Sequence, residues 1–336
     1  MSDLLDLPTG LRRLIAARLG PPGTVENLVR LTGGATRATW SFDARVGDAT
    51  IPLVLQQPVP RALRPDDPML RLPHVAGEAD AALVMGAARA GVPVPRVRLV
   101  LEPEDDLGAG YLADRIDGET LGARIIRDQR FAHARGIMAA QCGEILARIH
   151  AMEPEAYPFL VEQDAAAEVQ VYREIWDSFD HPQPAIDLAF RWVAERAPKR
   201  TRRALVHGDF RNGNFIVGAE GLRAVLDWEI AHVGDPMADL GWLCVRTWRF
   251  GGPNPVGGFG HREDLVAAYE QAGGGRVDAE HVSFWEAFGC LKWSVMCLMK
   301  GQSHRRGGLR SLEQMAIGRR SEEPLYDFLA LLGRRG

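Results

Sequence analysis

Lysine is almost missing from this chain. Only Lys199, Lys292 and Lys300 occur in 336 residues, so arginine carries nearly all the positive charge and no ε-ammonium group precedes position 199. Cysteine is scarce too. Cys142, Cys244, Cys290 and Cys297 stand at irregular spacings that offer neither a paired zinc motif nor a disulfide framework, and buried thiols are expected instead. No apolar run is long enough to cross a bilayer, and the amphipathic stretch 11–19 lacks the continuous apolar segment of a secretion signal, so a cytoplasmic protein with no membrane partner is expected. The net charge of −4, with both signs interspersed, excludes a broad basic face for nucleic acid, and the local cluster His304-Arg305-Arg306 reads as solvated surface. The length and the ordinary apolar content of 46% exclude a disordered or fibrous chain and allow two lobes with a substantial core.

One short stretch carries most of the chemistry. His207-Gly208-Asp209 is followed by Asn214 five residues past the aspartate and by Asp227 thirteen residues beyond that. The apolar segments 204–206, 215–217 and 222–226 read as short strands with a turn at 218–221, which puts the polar residues in a loop and ends the last strand at Asp227. Such a hairpin brings two carboxylates and an amide carbonyl to one edge. These are hard oxygen donors of the kind magnesium shares with water and phosphate, and phosphoryl transfer needs charge neutralisation and in-line positioning more than covalent help. Singly, the aspartates and asparagine are common turn formers; their joint order and spacing carry the functional reading.

With these residues the chain resembles the aminoglycoside phosphotransferase and choline kinase-like family, whose pattern is His-Gly-Asp-x-x-x-x-Asn followed by an aspartate on the next strand. The resemblance implies that Asp209 orients or deprotonates an acceptor hydroxyl, that His207 braces the loop, and that Asn214 and Asp227 hold Mg2+ on the phosphates of ATP, with GTP as the alternative. Asp239 matches the family's second aspartate of the following segment and is expected to support the loop, while Asp235-Pro236 starts its helix. The later part of the chain, including 285–299 and 311–320, also resembles phosphotransferase-like modules joined to some acyl-CoA dehydrogenases.

Upstream, a helix over 11–19 precedes a β-rich lobe. The resemblance places its nucleotide loop at residues 32–39, with Gly33, Gly34, Thr36 and Arg37 near the phosphates. The next strand, 52–57, normally carries a lysine or arginine in kinase-like folds, yet Gln56 and Gln57 occupy that position here. Glutamine donates a hydrogen bond but supplies no charge, so either nucleotide binding is weaker or Arg37, Arg61 or Arg64 reaches in. A helix is expected over 75–90, with Glu78 the carboxylate that pairs with the nucleotide-clamping cation by resemblance, a helix-dipole role being the open alternative. Strands at 97–101 and 111–116 follow, and the resemblance sets backbone groups from Asp114 to Ile116 at the adenine edge.

Helical spacing marks 136–150 as a core helix with His150 capping or packing at its end, and 284–299 as an apolar helix whose tryptophans face core or substrate. The expectation is an α+β, two-lobed, protein-kinase-like fold: a β-rich nucleotide-binding lobe with a leading helix over 1–116, and a mostly helical catalytic and substrate-binding lobe over 117–336. Its reaction is phosphoryl transfer from a nucleotide lying between the lobes to a small-molecule hydroxyl. A catalytically weak nucleotide-binding regulator is the alternative, motivated by the missing lysine. A metal-dependent phosphoesterase fits least, because no dense histidine and carboxylate set is present.

Overall fold

Apolar residues on alternate positions of neighbouring strands give the β-rich part of the chain its two faces. The computed structural model describes residues 7–31, 37–59, 68–179, 182–305 and 312–333. They fall into two units, one formed by Met1–Arg61, Val75–Arg89 and Val94–Asp117, the other by Ala62–His74, Ala90–Pro93 and Gly118–Gly336.

The first unit contains helix α1 (Leu7–Arg18), strands β1 (Pro22–Leu31), β2 (Arg37–Val46) and β3 (Ala49–Pro58), helix α2 (Glu78–Arg89), and strands β4 (Val97–Val100) and β5 (Tyr111–Asp114). The strands form one antiparallel sheet in the order β1-β2-β3-β5-β4. Phe42, Ala44, Leu53, Leu55 and Leu112 point to one face, where Leu11, Leu14 and Ile15 of α1 cover them. Burial of each large aliphatic side chain there contributes roughly 1.5–3 kcal/mol. Residues of the opposite parity point to the other face, and Tyr111 and Ala113 meet Ala81 of α2. Because Leu55 faces the α1 side, Gln56 falls on the α2 side, level with Thr39 and Tyr111 in the register.

The second unit begins with α3 (Gly122–Arg127), α4 (Ala132–His150), α5 (Ala165–Asp177) and α6 (Pro184–Arg196). Four short strands follow: β6 (Ala204–Val206), β7 (Phe215–Gly218), β8 (Gly221–Val225) and β9 (His232–Gly234). Helices α7 (Met237–Cys244), α8 (Arg262–Gln271), α9 (Ala279–Arg305), α10 (Leu312–Gly318) and α11 (Glu322–Gly333) complete it. Strands β7 and β8 make the expected hairpin. Strand β6 pairs instead with β9, a three-residue strand that sequence periodicity is too short to reveal. Helix α4 lies so close to α8 that a Cβ at Gly143 would collide with the Leu265 carbonyl.

Helix α2 starts at Glu78 rather than at 75, just after Gly77 in a left-handed conformation. Strand β5 ends at Asp114, so Ile116 lies beyond it. All four cysteines are buried free thiols. No helix among the described residues is long and apolar enough to cross a membrane.

Candidate functional site

The stretch from β6 to β7 is held from behind by one buried carboxylate. Asp239, in the first turn of α7, accepts the backbone N–H of His207 at 2.8 Å through Oδ2 and that of Gly208 at 2.9 Å through Oδ1. His150 at the end of α4 contacts the same Asp239 Oδ2 through Nε2 at 3.1 Å, and its Nδ1 meets the Tyr269 hydroxyl at 2.9 Å. Burial pulls the pKa of Asp239 upward, but the hydrogen bond and charge of His150, aided by His207, outweigh it and hold the carboxyl below its ordinary range. Gly208 is needed for geometry as well: its φ is +81°, and a Cβ would sit 2.5 Å from the Ile230 carbonyl oxygen.

His207 is fully buried against Phe210 and Trp228. Its Nδ1 accepts from the Asp209 N–H at 3.2 Å while Nε2 reaches the Leu226 carbonyl at 3.1 Å, a pattern that fits the neutral Nε2–H tautomer. Nε2 thereby ties the loop to the end of the β7–β8 hairpin, and Nδ1 closes the turn at Asp209.

Asp209 is gripped by three donors. Oδ1 accepts from Arg211 Nε at 2.9 Å and from the Trp242 indole N–H at 2.8 Å, and Oδ2 accepts from Asn214 Nδ2 at 2.6 Å. Asn214 Nδ2 also donates to the Asp209 carbonyl at 3.0 Å, which turns its amide oxygen away from the aspartate. Asn214 is further fixed by its own carbonyl, which accepts from the Leu226 N–H at 2.8 Å. Asp227 follows β8 with φ of +67°, a left-handed conformation that a non-glycine residue adopts only where its surroundings impose it. The Asn214 oxygen and the Asp227 carboxylate are hard donors. No cluster of three or more His, Cys, Asp or Glu side chains placed to hold a metal occurs among the described residues. Two such oxygens suit a cation that keeps water and phosphate in its remaining positions, as Mg2+ does.

In the β-rich unit, Gly33, Gly34 and Thr36 lie outside the described residues, as do Arg61 and Arg64. Arg37 opens β2 and makes a two-pronged pair with Asp80 of α2, both N···O distances being 3.2 Å. The Tyr111 hydroxyl donates to Asp80 Oδ2 at 2.9 Å. The carboxylate that meets the candidate cation is thus Asp80, two residues beyond Glu78, which is exposed. Gln56 accepts from the Thr39 hydroxyl at 3.3 Å, and Gln57 donates to the Leu107 carbonyl at 2.5 Å. The Asp114 side chain pairs with Arg98 at 2.6 Å on the sheet, and Ile116 is half-buried.

Four residues outside the expected site set touch its candidate groups, Asp80 meeting Arg37 in the β-rich unit and, in the helical unit, His150 meeting Asp239 and both Arg211 and Trp242 meeting Asp209, while Lys292 lies behind Trp242 without touching them. Asp80 was overlooked because alanines surround it on a helix read for its composition. His150 was read as a lone helix-end histidine, and only the fold brings it to Asp239. Arg211 sits inside the motif and carried a signal, a cation two residues past the aspartate. Trp242 and Lys292 come from α7 and α9, and no local pattern links either to position 209.

The sequence profile of the Phosphotransferase enzyme family matches residues 28–280. Among curated proteins, Acyl-CoA dehydrogenase family member 10 of Mus musculus is 30% identical over 193 residues, which span 55% of this chain but only 18% of that protein. A solved structure from Ralstonia eutropha JMP134, provisionally assigned as an aminoglycoside phosphotransferase, shares 17% identity with a TM-score of 0.73, covering 97% of this chain and 98% of the other. The GDP complex of aminoglycoside 2'-phosphotransferase-IIIa shares 14% identity with a TM-score of 0.63, covering 96% of this chain and 99% of the other.

Proposed function

This chain belongs to the phosphotransferase enzyme family, and from that premise we propose that it transfers the γ-phosphoryl group of ATP, with Mg2+, to a hydroxyl of a small molecule. The observation that carries the reading is the Asp209 carboxylate fixed by the Asn214 amide on a loop that Asp239 holds through two backbone amides.

Asp209 receives the acceptor hydroxyl and aims its oxygen at the phosphorus. A loose phosphoryl-transfer transition state asks for orientation of the attacking oxygen first and proton removal late. Asn214 Oδ1 and the Asp227 carboxylate hold Mg2+, which supplies neutralisation of phosphate charge. His207 keeps the loop in register and moves no proton. Arg37, oriented by Asp80, is the phosphate-binding cation of the β-rich unit, and Gln56 is its polar neighbour on the same sheet face. The alternative of a catalytically weak regulator rests on the missing lysine, and the paired Arg37 supports the catalytic reading. The relative with bound GDP makes GTP the second nucleotide to test.

Purified protein incubated with Mg·ATP or Mg·GTP and a library of hydroxyl compounds is expected to form phosphate esters, with Asp209→Ala inactive. Nucleotide binding without ester formation from any acceptor would instead support the regulatory alternative.

A further inference from the structure

On the α7 and α9 side of Asp209, the buried acidic residues among those described are already engaged. Glu168 takes the Lys292 ammonium at 2.9 Å. Glu286 is met by two arginines, Arg249 at 3.1 Å and Arg262 at 2.6 Å. Asp235 accepts from the Trp285 indole at 2.8 Å and the Met237 N–H at 3.0 Å, and Asp239 serves the catalytic loop. An acceptor bearing ammonium groups would find its carboxylate partners taken on this side, and an unpaired buried charge is costly.

The cations differ in one respect. Arg211 uses Nε on Asp209, lies 4.3 Å from the Trp248 ring centre, and has an Nη2 group that meets no acceptor among the described residues. It is one-fifth exposed. A guanidinium held over an indole, with one amino group open beside the hydroxyl-orienting carboxylate, is arranged to receive a carboxylate or phosphate oxygen. Lys292 backs it. Its Nζ lies 5.1 Å from the Trp242 ring that donates to Asp209. Burial pulls its pKa down, but the Glu168 carboxylate outweighs burial and keeps the amine charged. The adjoining cavity of about 10 Å3 has room for about one water, so Lys292 acts through its field rather than by contact.

We propose that the acceptor is a small alcohol carrying an anionic group, a carboxylate or a phosphate ester, and that Arg211 is the residue that receives it. This inference rests on the phosphotransferase reading above and adds the charge class of its substrate.

The test uses the full chain with Mg·ATP and matched acceptors on two skeletons. Glycerate, glycerol phosphate, glycerol and aminopropanediol form one series; gluconate, sorbitol and glucamine form the other; kanamycin is the polycationic control. The expected result is kcat/KM at least about tenfold higher for the anionic members, with glycerate against glycerol phosphate separating the two anion types. Arg211→Gln is expected to raise KM for the anionic acceptors about tenfold or more while barely changing it for glycerol or sorbitol.

Equal or better turnover of a neutral or cationic member overturns the proposal and leaves the phosphotransferase reading intact. An equal rise in KM for neutral and anionic acceptors in Arg211→Gln also overturns it, whereas kcat is expected to fall alike for both because the variant removes one of the three donors on Asp209. Failure of every acceptor despite nucleotide binding counts against the phosphotransferase reading itself, and the proposal falls with it.

Discussion

Replacing Arg37 by methionine separates a nucleotide clamp from a structural ion pair. The pair is buried: Asp80 is 2% exposed, and its oxygens meet both amino groups of Arg37 and the Tyr111 hydroxyl. Arg37→Met therefore takes the guanidinium from a buried carboxylate, and loss of one partner from a buried pair costs about 3–5 kcal/mol. Replacing both partners in Arg37→Met/Asp80→Leu removes the carboxylate's charge as well, so stability is expected to return to within about 1 or 2 kcal/mol of the wild type. Nucleotide affinity behaves differently if the guanidinium touches phosphate. A hydrogen bond to a charged group is worth roughly 1.5–3 kcal/mol, so Kd for Mg2+ with a non-hydrolysable ATP analogue should rise by about 10- to 150-fold in the single and the double variant alike. Titration calorimetry and thermal unfolding of the three proteins read the two effects independently. A double variant that regains stability and binds nucleotide like the wild type would falsify the clamp assignment and reduce Arg37 to a structural partner of Asp80.

Three further perturbations address the helical unit. In Trp242→Phe, loss of the 2.8 Å indole donor to Asp209 should lower kcat by about 10- to 100-fold with little change in nucleotide Kd, and an unchanged kcat refutes that positioning role. Gly208→Ala forces a left-handed residue and a clash with the Ile230 carbonyl, so turnover should fall at least about a hundredfold while circular dichroism stays close to that of the wild type. Asp239 has a depressed folded-state pKa, so its stabilisation is complete above the unfolded value near 3.8 and is lost as pH falls through the folded value. Urea unfolding from pH 6 down to about pH 3 should show a steeper loss in the wild type than in Asp239→Asn, and parallel curves refute the linkage.

How far the sequence could be read depended on how local each feature was. The β7–β8 hairpin follows from apolar alternation and a glycine turn within a few residues and lies where that pattern puts it, while the leading helix expected over 11–19 spans Leu7–Arg18 and the strand expected over 52–57 is part of the longer β3. The His207, Asp209, Asn214 order was legible because loop chemistry fixes its spacing. Strand β9 was not, since three residues carry too little periodicity. Glu78 is the carboxylate the resemblance implies, and Asp80 in the same first turn of α2 is marked out only by its pairing with Arg37 and Tyr111 in the folded chain. His150, Trp242 and Lys292 belong to α4, α7 and α9, and only tertiary packing brings their side chains to the loop.

The central claim is phosphoryl transfer to a hydroxyl with Asp209 as the orienting group. Its most direct measurement follows the labelled γ-phosphoryl group of Mg·ATP in the wild type and in Asp209→Asn with the acceptor series above. The expected result is a labelled phosphate ester whose rate of formation falls at least about a hundredfold in Asp209→Asn, with nucleotide Kd little changed. Label recovered only as inorganic phosphate, or equal ester formation by both proteins, contradicts the account.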